Sequence, residues 1–123
     1  MILGLGNDIV EIARIKRAIE NETFLKRVYT SAEIIEAEKK GVNSAASFAG
    51  KFSAKEAVSK ALGTGVRGFS LLDIEILSDN LGKPEVYFRG NLAEKMKGKE
   101  ACISISHCKE YATAVAILMR GEK

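Results

Sequence analysis

Residues 48–65, FAGKFSAKEAVSKALGTG, form the stretch of sequence that decides the fold around it. Alanines and other good helix formers fill this stretch, and Gly63 stands where the C-terminus of a helix is commonly relieved. The composition therefore predicts one long helix that runs into a glycine loop. Its charges are unusual for a surface helix, because three lysines surround a single acid, Glu56. These lysines are Lys51, Lys55 and Lys60.

This mixture of charges suits a site that holds a metal and a polyanion. A carboxylate binds a hard cation, and ammonium groups bind phosphate. Glu56 and Lys60 are four residues apart, so both side chains point to the same side, towards the loop with Gly63 and Gly65. A simple i,i+4 ion pair explains Glu56 and Lys60 equally well, at about 0.2–0.5 kcal/mol. The segment by itself leaves both interpretations open.

Length and composition predict one globular domain spanning residues 1–123. The chain is 46% hydrophobic and 28% charged, which is ordinary for a packed domain of this size. Its net charge of +3 is too small to indicate nucleic-acid binding, and basic and aromatic residues are not interleaved. Because the sequence shows neither an apolar run of about 18 residues nor a basic leader, we expect a cytoplasmic protein that binds no membrane.

The first half of the chain is predicted to be a strand followed by helices. From Ile9, isoleucines recur at intervals of three and four, which predicts that a helix begins there. Asn21 is placed to cap a second helix. Thr30 and Glu33 form a capping box for a third helix, which we expect to end at Gly41.

The second half is predicted to be mostly strands. Apolar and polar residues alternate in two pairs of segments, each pair joined by a turn, with a short helix between the pairs. The strands are 72–77, 86–88, 102–106 and 111–118, and the helix is 91–97. This order lacks βαβ alternation, so the sequence predicts an α+β fold: a small, mainly antiparallel sheet packed with one long and several short helices.

Asp8 is a second acid that could share a site with Glu56. It follows the apolar start of the chain and precedes the predicted first helix, so it could simply be an N-cap. Magnesium commonly takes one or two protein carboxylates and completes its coordination with water and substrate phosphate. Asp8 and Glu56 are therefore the candidate magnesium ligands, and the lysines beside Glu56 suit a phosphate-bearing donor.

One histidine and two cysteines complete the set of chemically active residues. A single histidine, His107, excludes a multi-histidine metal centre. It stands at a strand end near a turn, where it could line a site or simply face solvent. Cys102 and Cys108 lie too far apart along an extended strand for a disulfide. We expect a half-buried thiol on a strand and a second thiol in a turn.

Three segments together resemble the holo-[acyl-carrier-protein] synthase family, the short bacterial type of 4'-phosphopantetheinyl transferase. They are GLGNDIVEIARI at 4–15, the central stretch at 48–65 and ISISHCKEYATAVAI at 103–117. The resemblance implies the 4'-phosphopantetheinyl transferase fold. It also implies that coenzyme A donates phosphopantetheine to a serine hydroxyl of apo-acyl carrier protein in fatty acid biosynthesis, with 3',5'-ADP as the leaving group.

The resemblance assigns roles to residues at the matching positions. Asp8 and Glu56 match the family's magnesium ligands, and Lys60 matches the lysine near the transferring phosphate; these three are the expected catalytic residues. The general base stays open between Glu56 and a water held by the metal. The expected coenzyme A contacts are Lys51, Lys55, Lys60, Gly63, Gly65 and His107.

The resemblance also implies a homotrimer whose active sites are shared between neighbouring chains. Arg14 matches the arginine that meets the acidic recognition helix of the carrier protein, and Arg27 could extend that basic face or simply be solvated. The chain departs from the usual pattern at Asn7, Lys51 and Cys108. The exact contacts of Lys51 and Cys108 are therefore open.

Three other functions compete with this one. The protein could be a silent adaptor that holds an acidic protein on its basic first helix, without dependence on Glu56. It could bind nucleic acid weakly, although its mild charge disfavours this. It could also run the same chemistry on a peptide- or polyketide-carrier domain.

Overall fold

The order of helices and strands agrees with the prediction from the sequence. The computed structural model describes residues 1–63 and 66–121. In chain order its strands and helices are β1 (Ile2–Glu11), α1 (Ile12–Ala18), α2 (Glu22–Val28), α3 (Ser31–Glu38), α4 (Ser44–Leu62), β2 (Ile74–Ser78), β3 (Pro84–Phe88), α5 (Gly90–Lys95), β4 (Lys99–His107) and β5 (Tyr111–Arg120). None of the helices in this described part is long and apolar enough to cross a membrane.

The strands form two antiparallel sheets. One sheet has three strands in the order β1-β5-β4, and the hairpin β2-β3 forms the other. The predicted α+β fold with small antiparallel pairing is confirmed, with the difference that the strands divide into two sheets. One face of the three-stranded sheet packs on α4, where the main core is formed by alanines and other apolar residues such as Ala57, Val58, Ala114 and Ala116.

Two glycines let β1 lie directly against α4. A Cβ at Gly4 would overlap the carbonyl oxygen of Ala61, and a Cβ at Gly6 would overlap that of Ala57. Side chains at these two positions would therefore push the strand and the helix apart. The close approach brings the middle of β1, which contains Asp8, alongside α4.

The end of β1 differs from the prediction. The ladder with β5 continues from the pair Asp8–Ala114 to the pair Glu11–Tyr111, so the strand extends to Glu11. The predicted start of a helix at Ile9 is therefore wrong, and so is the interpretation of Asp8 as an N-cap. The pairing with β5 prevails because it supplies backbone hydrogen bonds that the isoleucine spacing alone does not reveal.

The predicted helix ends are mostly confirmed. The Asn21 side chain accepts a hydrogen bond from the Phe24 N–H, and Thr30 and Glu33 form the capping box of α3. Helix α3 ends at Glu38, before the predicted end at Gly41, which lies in a following 3-10 turn. Gly63 ends α4 with a φ of 67°, a conformation that favours glycine.

Both cysteines are free thiols in the described part of the chain. Cys108 lies in the turn between β4 and β5, as predicted. Cys102 lies on β4 but is exposed, so the prediction of a half-buried thiol there is wrong. Its side chain faces away from α4, on the outer side of the sheet, as the alternating burial of β4 indicates.

Candidate active site

Two acids that are distant in the sequence meet between β1 and α4. Asp8 comes from the strand and Glu56 from the helix, and both line a cavity of about 400 Å³. Arg14, Phe24 and Phe52 line the same cavity. Phe52 and Glu56, one turn apart on α4, therefore lie on the side of the helix that meets Asp8. The structure brings together the two residues that were proposed as a magnesium site.

Neighbouring hydroxyl groups hold Asp8 in place. The Thr113 hydroxyl donates to the backbone carbonyl of Asp8 at 2.7 Å. The buried Ser53 hydroxyl lies 3.0 Å from the same carbonyl and 3.2 Å from Oδ2 of the Asp8 carboxylate. Ser53 has one proton to donate and lies within hydrogen-bonding distance of both oxygens, so either bond fixes this buried hydroxyl against Asp8.

Lys60 pairs with Asp8 across the gap between helix and strand. Its Nζ lies 3.3 Å from Asp8 Oδ1 and donates to the Asn7 carbonyl at 2.9 Å. Among the ion pairs of residues 1–63 and 66–121 there is none between Glu56 and Lys60, so the Lys60 ammonium lies more than 4.0 Å from the Glu56 carboxylate oxygens. The alternative of an isolated i,i+4 pair on the helix surface is therefore wrong, since the ammonium reaches to the strand.

The electrostatics of the Asp8–Glu56 pair suit a cation. Burial, and then repulsion from the Asp8 carboxylate, raise the pKa of Glu56, while the Lys60 ammonium acts in the opposite direction. Two carboxylates held side by side offer hard oxygen ligands and excess negative charge. Clusters of three or more His, Cys, Asp or Glu are not found in the described residues. Most of the coordination of a cation here would therefore come from water and substrate.

Lys55 points into the interior, away from these acids. Its ammonium lies 2.9 Å from Glu33 Oε1, and both side chains are fully buried. It also donates to the carbonyls of Leu71 and Ile74, at 2.8 and 2.6 Å. Burial lowers the pKa of Lys55, and the charge of Glu33 opposes this. The fold does not bring Lys55 to the site, so nothing in this geometry supports its predicted contact with phosphate.

Lys51 lies one turn before Lys55 on the same side of α4. It is buried, and it forms an ion pair with Glu36 and donates to the Ile76 carbonyl at 2.7 Å. Burial acts to raise the pKa of Glu36, but the bonds from Lys51 and Ser78 outweigh it and hold that pKa below its usual value. Two lysines of α4 thus fasten the helix to β2.

His107 and Lys51 line a second cavity of about 400 Å³. Lys40 lines it from the segment after α3, and Pro84 lines it from the start of β3. His107 ends β4 and is exposed, with its Nδ1 3.4 Å from the Cys108 carbonyl. The structure therefore brings together Lys51 and His107, in a cavity separate from that of Asp8 and Glu56.

The remaining predicted residues are Arg14, Arg27, Gly63 and Gly65. Arg14 of α1 lines the Asp8 cavity. Arg27 of α2 lines a smaller cavity of about 340 Å³ that also contacts Phe24. Gly63 ends α4 one turn beyond Lys60, whereas Gly65 is outside the described residues.

Sequence reasoning missed the residues that support the site. Ser53 precedes Glu56 by three positions, so helical spacing could have placed it on the Asp8 side of α4. Glu33 was identified only as a capping residue, and Glu36 was not singled out. Their pairing with Lys55 and Lys51 depends on how α3 packs against α4, which no local pattern reveals.

Comparison with known proteins shows which family the chain is similar to. A family profile described as ACPS, the 4'-phosphopantetheinyl transferase superfamily, matches residues 4–116. The chain is 51% identical to a holo-[acyl-carrier-protein] synthase of Fusobacterium nucleatum, over 97% of this chain and 100% of that protein. It is 48% identical to one from Clostridium tetani, over 96% of each.

Solved structures show the same fold. The holo-[acyl-carrier-protein] synthase of Neisseria meningitidis aligns with a TM-score of 0.84 at 35% identity, covering 100% of both chains. That of Bacillus anthracis, in complex with CoA (3',5'-ADP), aligns with a TM-score of 0.81 at 38% identity. That alignment covers 98% of this chain and 99% of the other.

Proposed function

The chain belongs to the 4'-phosphopantetheinyl transferase superfamily, and on that premise we propose that it transfers 4'-phosphopantetheine from coenzyme A to a serine hydroxyl of apo-acyl carrier protein. The products are holo-acyl carrier protein and 3',5'-ADP. The observation that carries this proposal is the meeting of Asp8 and Glu56, from segments 48 residues apart, in one cavity. The relatives named above and the Bacillus anthracis complex support the choice of donor and acceptor.

We propose that Asp8 and Glu56 hold a magnesium ion. The two carboxylates line the same cavity, and burial together with repulsion from Asp8 raises the pKa of Glu56. A bound cation would offset this repulsion. When bound, magnesium supplies charge neutralisation to the pyrophosphate of the donor as the P–O bond breaks. Ser53 contacts the Asp8 carboxylate and Thr113 donates to the Asp8 backbone carbonyl, so both help to hold Asp8 in place.

The chain's own cations have separate tasks in this proposal. Lys60 is partly exposed at the edge of the acid pair, so its ammonium can reach a phosphate of the donor. His107, Lys40 and the edge of Lys51 would bind another part of coenzyme A in the second cavity. A long donor with several phosphates suits two such cavities better than a compact substrate does.

We propose that the protein works as a homotrimer with active sites between chains. The outer face of the three-stranded sheet carries several exposed apolar side chains, which a neighbouring chain would cover. Those with about two thirds of their surface exposed are Ile2, Leu5 and Ile9. A shared site would place the His107 cavity of one chain beside the Asp8 cavity of the next. Sedimentation velocity tests the trimer, and a monomer under assay conditions would contradict it.

Arg14 and Arg27 are proposed to receive the acidic carrier protein in the cytoplasm, as a step in fatty acid biosynthesis. Arg14 lies in the wall of the Asp8 cavity, so a carrier bound there would present its serine close to the acids. Replacing Arg14→Glu should weaken carrier binding about tenfold and leave coenzyme A binding nearly unchanged, because it introduces like-charge repulsion with the carrier. Equal losses for carrier and coenzyme A would contradict this role.

Mass spectrometry of the carrier tests the proposed reaction directly. The protein is incubated with coenzyme A, magnesium and apo-acyl carrier protein, and the carrier should gain the mass of one phosphopantetheine. Asp8→Asn should lose most of this activity while it retains the fold. A carrier that is bound but never modified would favour the adaptor function, and modification of a peptide-carrier domain in preference would change the acceptor.

A further inference from the structure

Each oxygen of the Asp8 carboxylate has a different partner. Oδ2 faces the Ser53 hydroxyl at 3.2 Å, and Oδ1 faces the Lys60 ammonium at 3.3 Å. Ser53 is fully buried in α4, whereas the Lys60 side chain is 56% exposed. One partner is thus fixed by packing, and the other reaches in from solvent.

The pair with Lys60 neutralises part of the negative charge of the acids. Asp8 and Glu56 repel each other, and Lys60 is the cation that offsets this repulsion at Glu56. Its second bond, to the Asn7 carbonyl at 2.9 Å, holds the ammonium at the strand. Lys60 therefore provides positive charge beside Asp8, where a divalent cation would otherwise provide it.

We propose that Lys60 is an exchangeable counter-ion of Asp8, which occupies Oδ1 before a divalent cation binds and releases it when the cation arrives. This inference rests on the proposed function. Ser53 keeps Oδ2 throughout, so the carboxylate remains oriented while its other oxygen changes partner. The released ammonium stays within reach of the site, where it is available to the phosphates of the donor.

The exchange is inexpensive on the lysine side, because the Lys60 side chain is 56% exposed and water can solvate its ammonium when it leaves Asp8. Ion pairs of this kind contribute little, since water and salt screen them. The buried pair of Lys55 with Glu33 on the same helix could not exchange in this way, because an ammonium without a partner would be left in the interior. The difference in exposure is what makes Lys60, and not Lys55, suitable for the exchange.

Calorimetric titration with Mn²⁺, without coenzyme A or carrier, tests the proposal. Lys60→Met should bind Mn²⁺ about two- to fivefold more tightly than the natural protein, since the competing ammonium is gone. The same variant should bind 3',5'-ADP more weakly. Ser53→Ala should lower Mn²⁺ affinity by about tenfold, the scale expected when a group that orients a metal ligand is lost.

Two control variants separate the local effect from general ones. Lys97→Met removes one positive charge from an exposed pair with Glu94, and should leave Mn²⁺ affinity unchanged. Ser59→Ala removes a hydroxyl of α4 that donates to the Lys55 carbonyl, and should also have no effect. Lys60→Gln provides a second neutral variant should Lys60→Met perturb the helix.

Resonances of the lysine ammonium groups show the exchange itself. In ¹H–¹⁵N spectra, adding Mg²⁺ should move the Lys60 ammonium signal towards its position in Asp8→Asn. Unchanged or weaker Mn²⁺ binding in both neutral variants, or a Lys60 signal that ignores Mg²⁺, would overturn the proposal. If Mn²⁺ binds to neither the natural protein nor Lys60→Met, the proposal also fails. Because no donor or carrier is present, these outcomes are independent of whether the protein modifies a carrier.

Discussion

Two different faces of α4 use the same residue type in opposite ways. On one face, Lys51 and Lys55 are buried and fasten the helix to β2 through acids of α3. On the other face, Lys60 is mostly exposed and reaches across to Asp8. One face of α4 stabilises the fold, and the other face presents charged side chains to the cavity that contains Asp8.

The comparison shows that a lysine's role depends on what packs against it. The interior lysines are surrounded by backbone carbonyls and carboxylates that replace their lost water. A side-chain oxygen or nitrogen that is buried without a hydrogen-bond partner is not found within the described ranges. The lysine at the cavity keeps part of its hydration and is therefore free to change partner.

Breaking the interior face should have the largest effect. Lys55→Met leaves the Glu33 carboxylate buried without its counter-charge, which should reduce the free energy of unfolding by about 3–5 kcal/mol. Lys60→Met, the matched change on the exposed face, should cost less than about 1 kcal/mol. Urea denaturation measures both. Similar losses for the two variants would show that burial does not separate the two faces.

The double variant Lys55→Met with Glu33→Leu refines this test. Replacing a buried ion pair by apolar residues is often neutral or stabilising, so much of the stability lost in Lys55→Met should return. A double variant that is less stable than Lys55→Met would show that the bonds Glu33 accepts from the Ile76 and Thr30 N–H groups outweigh the cost of leaving its charge unpaired.

Moving the two sides of the cavity apart should have an intermediate effect. Gly6→Ala places a methyl group against the Ala57 carbonyl, so β1 and α4 must separate. We expect a loss of about 1–3 kcal/mol in the free energy of unfolding, as for other overpacked sites. Mn²⁺ affinity should fall as well, because Asp8 and Glu56 lie on opposite sides of this contact.

The pH dependence of the cavity face should be the smallest effect. The pKa of Glu56 is raised, so the folded state holds its proton to higher pH than the unfolded state does. Its charge therefore reduces stability as the pH rises above the ordinary glutamate range, and has no effect below that range. Glu56→Gln should melt at a higher temperature than the natural protein at pH 7 without divalent cation, and the difference should vanish near pH 3.

A divalent cation should reverse the difference in stability between Glu56→Gln and the natural protein. In the presence of Mg²⁺, the natural protein should gain stability that Glu56→Gln does not gain, because binding to the folded state shifts the unfolding equilibrium. Thermal unfolding at pH 7, with and without Mg²⁺, measures the crossover. Equal stabilisation of the two proteins would place the cation elsewhere.

Local sequence signals predicted a large part of the fold. The long helix, the Asn21 cap, the Thr30–Glu33 capping box and the two hairpins all follow from neighbours within a few residues. The predictions failed where a distant strand competes with a local pattern. The residues from Ile9 to Glu11 remain in β1 because β5 pairs with them, although their spacing suits a helix.

The candidate site was predicted in its acids but not in its supports. Asp8, Glu56 and Lys60 were named from their chemistry and from the resemblance, and the structure gathers them. Ser53 and Thr113 were missed, because the sequence does not show which distant group a hydroxyl bonds. The roles of the named residues in binding and catalysis stay predictions that the experiments above decide.

The sequence by itself determined that residues 48–62 form a helix, that Lys51 and Lys55 share one face and that Glu56 and Lys60 share another. It also determined the family, through three motifs in order. Only the tertiary structure decided that the first face is interior and that the second meets Asp8. Helical periodicity fixes which side chains lie on the same face of the helix. What surrounds each face depends on strands and helices from distant parts of the chain, which pack so that their apolar side chains are buried and fit together.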